Sequence, residues 1–122
     1  MNLKKMYETI GSDYQIVLER FCGHDEMLAK FVKVFVGDDT FQHLADAAGK
    51  LDYPEIESRA HALKGVAGNL GFERLHVACG ELVSSVRFDR LDEVPENFRK
   101  VEKEHGTVCD TIKNLMENDT GQ

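Results

Sequence analysis

A chain of 122 residues is long enough to bury one hydrophobic core without disulfides or a structural metal, and 42% hydrophobic residues with only two prolines suit a single helical domain over 1–122. The formal charge of −7 excludes the basic surface with which nucleic-acid binders meet a phosphate backbone. The most apolar stretch, 31–36, is interrupted by Lys33 and falls far short of a membrane span, and the amino terminus lacks an apolar segment of signal-peptide length, so no membrane contact and a cytoplasmic location are expected.

Leu3, Met6, Tyr7 and Ile10 give a short amphipathic segment closed by Gly11, and Ser12 or Asp13 can cap a second one that carries Val17, Leu18 and Phe21 and ends at Gly23. From residue 25, Leu28, Phe31, Phe35, Phe41, Leu44, Ala45, Ala48 and Leu51 stay nearly in helical phase across Gly37-Asp38-Asp39. This phase predicts one long helix over 25–50, kinked at Gly37. Taken alone, 31–36 has the β-branched and aromatic content of a strand, and only the phase of its flanks decides for helix.

Asp52-Tyr53-Pro54-Glu55 reads as a helix start, with a capping aspartate, an early proline and a glutamate three residues after the cap. That helix runs to Gly71, a candidate left-handed cap, and buries Ile56, Ala60, Leu63, Ala67 and Leu70 as its seam. Phe72, Leu75, Cys79, Leu82 and Val86 mark a helix over 72–88. After a polar connection Pro95 opens the last helix, with Phe98, Val101, His105, Val108, Ile112 and Leu115 as its seam and a tail over 117–122 expected to fray. The elements predict an all-α fold, an antiparallel up-down-up-down four-helix bundle with one or two short amino-terminal helices packed across one end and a core over about 12–117. Cys22, Cys79 and Cys109 are odd in number and form no C-x-x-C pair, as expected of reduced thiols at core or boundary positions. Met1 and the polar tail are the expected ends of a complete product.

Residues 60–71, A-H-A-L-K-G-V-A-G-N-L-G, hold the most information. Beside the buried seam runs a second stripe at helical spacing: His61, Lys64, Gly65 and Gly68. Each interior glycine costs a helix about 1 kcal/mol relative to alanine, so some other use must offset it. Either a neighbouring helix or an external partner can be the beneficiary, and the position of both glycines on the histidine's own stripe favours the partner. Imidazole is nucleophilic near neutral pH and accepts a phosphoryl group without a strong base, while a cation one turn along can stabilise the spread negative charge of the transferring group. No strand followed by a Gly-rich phosphate loop is present, so an autonomous nucleotide site is not expected.

The segment resembles the signature of histidine-containing phosphotransfer domains, H-x-L-K-G-x-x-G-x-x-G, matched here at His61, Leu63, Lys64, Gly65, Gly68 and Gly71. Leu18-Glu19-Arg20-Phe21-Cys22-Gly23, then Asp25, Leu28 and Phe35, is similar to the family's lead-in, and Leu75, Cys79 and Leu82 fall at its apolar spacings, so the resemblance covers about 12–115. It implies a monomeric four-helix bundle that relays a phosphoryl group between receiver-domain aspartates, those of a hybrid sensor kinase and of a response regulator. His61 would be phosphorylated, Lys64 would steady the phosphoryl oxygens, and Gly65 and Gly68 would admit the docking receiver, with Ala62 and Asn69 joining them on helical geometry. The resemblance also implies a carrier with no kinase activity, no nucleotide and no cofactor of its own, the catalytic Mg²⁺ belonging to the receiver. Where some members place a glutamine on the next helix beside the histidine, this chain aligns Val83. His76 and Glu73 are candidates to substitute for it, although a solvated face is the expectation for both.

Two other readings compete. Glu73 with His76 and Glu102 with His105 form Glu-x-x-His pairs of the kind that build carboxylate di-iron sites in bundles. His105, however, lies in its helix's seam whereas His76 lies beside its own, and no glutamate follows Glu26 in the long helix, so no metal site is expected and His105 is expected as a core histidine bonded to a neighbour. The spacing of His105 and Cys109 supplies only two ligands. A phosphate-independent adaptor would have no reason to keep both His61 and Lys64 on an exposed stripe. His24 and His43 are expected in solvent.

Overall fold

The computed structural model describes the backbone of residues 2–120 and the side chains of residues 2–117; Gly121 and Gln122, part of the tail expected to fray, lie outside the described residues. Helix starts follow cap chemistry. Asn2 accepts the Lys5 amide at 3.0 Å and opens α1 (Leu3–Thr9), and Asp13 accepts the amides of Gln15 and Ile16 to open α2 (Tyr14–Arg20). Asp13 rather than Ser12 is the cap, and the Ser12 hydroxyl is left buried without a partner.

The single helix expected over 25–50 is two, α3 (Asp25–Val36) and α4 (Thr40–Lys50). Gly37 ends the first, and the Asp38 carboxylate takes the Thr40 amide at 2.8 Å, so the backbone restarts where a kink was expected. The apolar phase spans the break because both helices bury one side, Leu28, Val32 and Phe35 in α3 and Leu44 and Ala47 in α4. Two members of the expected series leave the core: Phe31 lies at the rim against Phe21, and Leu51 forms the left-handed cap of α4 with φ 55°.

Helix α5 (Tyr53–Leu70) opens on Asp52, which accepts the Glu55 amide, and carries Pro54 in its first turn. Its buried residues are Ile56, Ala60, Leu63, Ala67 and Leu70, the predicted seam. Helix α6 (Glu73–Arg87) follows, and a 3-10 turn (Leu91–Glu93) leads into α7 (Val94–Thr120), whose helical backbone continues beyond the point where fraying was expected. Helix α5 lies between α4 and α6, α6 packs on α7, and α7 returns against α3 and α4, so α3 and α4 together form one member of the bundle. No helix among the described residues is long and apolar enough to cross a membrane.

The two short helices cover the end where α5 turns into α6. Gly71, at φ 76°, makes that turn, and a Cβ there would collide with Val17 of α2. The Tyr7 hydroxyl donates to the Leu70 carbonyl at 2.6 Å and so satisfies one of the last α5 acceptors, while its ring packs against Phe72. Burial raises the Tyr7 phenol well above its usual range, which keeps it a neutral donor.

Candidate functional site

The seam of α5 fixes what its opposite side can offer. With Ala60, Leu63 and Ala67 buried, His61, Ala62, Gly65 and Asn69 emerge into solvent, and Lys64 and Gly68 lie half-buried toward α6. The register with α6 is antiparallel and well marked: Arg87 pairs with Glu57 at 2.5 Å, the Gly80 backbone faces the Lys64 stem, and His76 meets Gly68. The same register brings Val83 across from His61, and its side chain is buried. A valine there offers the imidazole no hydrogen bond.

The two glycines of the histidine stripe differ. A Cβ on Gly65 would meet nothing within 4 Å, so that position opens directly to solvent. A Cβ on Gly68 would come within 2.8 Å of His76 Nδ1 and 3.1 Å of Cε1, so the bareness of Gly68 is already used inside the molecule. His76 is half-buried, and its Nδ1 lies 3.0 Å from the Lys64 carbonyl, where the protonated nitrogen donates. The solvated face expected for His76 is therefore corrected, whereas Glu73 is exposed as expected. Sequence spacing alone could not pair residues 68 and 76 across a turn; an interior glycine facing a histidine eight residues on was the available signal.

Among the described residues, Lys64 is a cation left without a carboxylate: Glu57 is held by Arg87, and Glu81 by Lys100 at 3.3 Å. A second basic side chain missed by sequence reasoning comes from α2, where Arg20 donates to the Gly68 carbonyl at 2.5 Å. On the far flank of α5, Phe31, Val34, Val66 and Asn69 line a shallow apolar groove of about 240 Å³.

The remaining candidates separate. The His105 ring stacks on Phe41 at 4.2 Å, beside Phe35, with Nε2 3.6 Å from Cys109 Sγ, as expected of a core histidine with a neighbour. Burial holds its pKa below the usual histidine value. His76 faces α5 and His105 faces α3 and α4, so the two Glu-x-x-His pairs do not converge, and no group of three or more His, Cys, Asp or Glu fit for a metal occurs among the described residues. Cys79 and Cys109 are buried and Cys22 is exposed, all as free thiols, and burial pushes the Cys79 thiol up to about 12. His24 is exposed, and His43 is exposed within 3.3 Å of the Asp39 carboxylate.

A helical bundle that presents an exposed imidazole on a stripe shared with a lysine and a bare glycine has the make-up of a group carrier. The profile of the Hpt domain family matches residues 27–118, and the chain belongs to that family, the histidine phosphotransfer intermediates of phosphorelays. Among solved structures it is similar to histidine-containing phosphotransfer protein B (HptB) from Pseudomonas aeruginosa PAO1, with a TM-score of 0.76 and 23% identity over 88% of this chain and 95% of that one. The helical fold expected from sequence is thus the fold found. No curated protein matches the chain in a sequence search.

Proposed function

We propose that His61 is the residue phosphorylated in the relay, and that receiver domains dock on the α5 face around it. The observation that carries this reading is the exposure of His61 on a stripe shared with Lys64 and with Gly65, over which there is open space. In the forward step a ring nitrogen of His61 attacks the phosphorus of a receiver's aspartyl phosphate. The N–P bond forms as the P–O bond to the aspartate breaks, and the carboxylate departs as an anion; passage to a second receiver is the reverse. Lys64 stabilises the charge spread over the transferring oxygens. The Mg²⁺ that such a step uses is supplied by the receiver, and the chain is a monomeric, cytoplasmic carrier without kinase activity.

Gly65 gives the receiver its closest approach, with Ala62 and Asn69 at the margin. Gly68 contributes its backbone there, since its open side is occupied by His76. The partners are the receiver domains of a hybrid sensor kinase and of a response regulator. Transfer from a phosphorylated receiver tests the reading: an acid-labile, base-stable label should appear on the wild type and be absent from His61→Gln, with helicity unchanged. Equal labelling of both proteins would remove His61 from the role.

A further inference from the structure

Helix α6 carries an interior glycine, Gly80, that makes no turn and adopts no left-handed conformation. A Cβ built on Gly80 meets side-chain atoms of Lys64 alone within 4 Å, Cε at 3.6 Å and Cδ at 4.0 Å. The bare backbone of α6 at this level is therefore the surface along which the lysine stem lies. Lys64 is held at its other end too, because its carbonyl takes the His76 hydrogen bond one turn away on the same helix. The carboxylates of Glu57 and Glu81 are committed to Arg87 and Lys100 and do not draw the ammonium aside.

We infer that Gly80 is a positioning residue for phosphoryl transfer: the absence of any side chain larger than a methyl group at this level lets the Lys64 stem lie across α6, which keeps the ammonium on the His61 stripe until a phosphoryl group arrives. The inference rests on the reading of His61 as acceptor and Lys64 as its cation. A long flexible lysine free in solvent would sample many rotamers, and fixing its stem in advance removes part of that entropy from the transition state. The distances allow a graded response. An alanine at 80 reaches only ordinary van der Waals contact with Cε, so Gly80→Ala keeps the seat, whereas the branched side chain of Gly80→Leu displaces the stem.

Two measurements test this. In isotope-labelled wild type, a nuclear Overhauser contact between the Gly80 α-protons and the Lys64 ε-methylene is expected, and its absence would overturn the seat whatever the transfer activity. In single-turnover transfer from a phosphorylated receiver, Lys64→Ala and Gly80→Leu should each lower the rate constant at saturation, on the order of tenfold, with the receiver dissociation constant unchanged. Gly80→Ala should transfer at the wild-type rate. Combining Lys64→Ala with Gly80→Leu should give no further loss, because both act through one ammonium. A Gly80→Leu defect that persists undiminished in the Lys64→Ala background, or a Gly80→Leu protein as fast as wild type beside a slow Lys64→Ala, would overturn the inference while leaving the acceptor role of His61 intact. Failure of the wild type to accept any label would instead refute the acceptor reading, and the inference with it.

Discussion

The same substitution at Gly65 and Gly68, one helical turn apart, should have opposite effects on stability. Each Gly→Ala change gains about 1 kcal/mol of helix propensity. At Gly65 nothing opposes that gain, because a Cβ there meets no atom within 4 Å. At Gly68 the Cβ lands 2.8 Å from His76 Nδ1, and the ring has to move. Its hydrogen bond to the Lys64 carbonyl is then lost, at about 1 kcal/mol, and expelling a half-buried ring from its packed site costs about 1–2 kcal/mol more. Net, Gly68→Ala should destabilise by about 1–2 kcal/mol, leaving the two variants about 2–3 kcal/mol apart. For a chain of this length that is a difference of roughly 8–12 °C in melting temperature. Urea denaturation with a common m-value, alongside thermal circular dichroism, measures it. In a His76→Ala background the Gly68→Ala change should turn stabilising, since the clash is gone. A Gly68→Ala protein as stable as Gly65→Ala in the wild-type background would refute the claim that His76 fills the space above Gly68.

Three further outcomes follow from the packing. Tyr7→Phe removes the donor to the Leu70 carbonyl and should cost about 1–2 kcal/mol in denaturant titration, because the acceptor it leaves is buried. Burial lowers the pKa of His105 in the folded state below its unfolded value of 6.5, so the unfolded chain binds the proton first: stability from this residue is complete above about pH 6.5 and declines as pH falls toward the folded value. The wild type should therefore lose stability relative to His105→Phe between pH 7.5 and 5.5, and parallel curves would contradict the assignment. Cys22 should react with iodoacetamide in the native protein, whereas Cys79, buried and with its thiol pushed up to about 12, should react only on unfolding; rapid native labelling of Cys79 would show that α6 opens locally.

What the sequence revealed depended on whether a signal was local. The α5 seam, its Asp52 start and its Gly71 stop could all be read because caps and helical periodicity act within a few residues. His61 and Lys64 stood out because they share a stripe that packing does not need. The break between α3 and α4 was hidden because two short helices that bury one side in common preserve the phase of a single one, and what separates them is local, the stop at Gly37 and the Asp38 side chain bonding to Thr40. Arg20 reaching Gly68, His76 filling the space above it and Gly80 underlying Lys64 are contacts between elements, set by the α5–α6 register and by how α2 crosses the end of the bundle. Periodicity carries no information about such a register. Of the two interior glycines that the sequence singled out, Gly68 marked a close approach without saying of what, and Gly65 lies open.

Electrostatics along the stripe give a final expectation. Phosphorylation of His61 would place about two negative charges one turn from Glu57, and neighbours at that spacing stand about 6 Å apart. With water as the dielectric, a unit carboxylate repels each added charge by roughly 0.7 kcal/mol, about 1.4 kcal/mol in total, which would bias the equilibrium against phosphohistidine about tenfold. Arg87 of α6 pairs with that carboxylate and cancels most of the penalty, while Lys64 acts from the other side. Arg87→Ala should accordingly shift the transfer equilibrium toward the phosphorylated receiver by about five- to tenfold in low salt, and the shift should shrink as ionic strength shortens the Debye length. Restoring the balance with Glu57→Gln in the same chain should bring the equilibrium back. A shift insensitive to salt, or one that Glu57→Gln does not reverse, would mean that Arg87 acts through the packing of α5 on α6 and not through the charge beside His61.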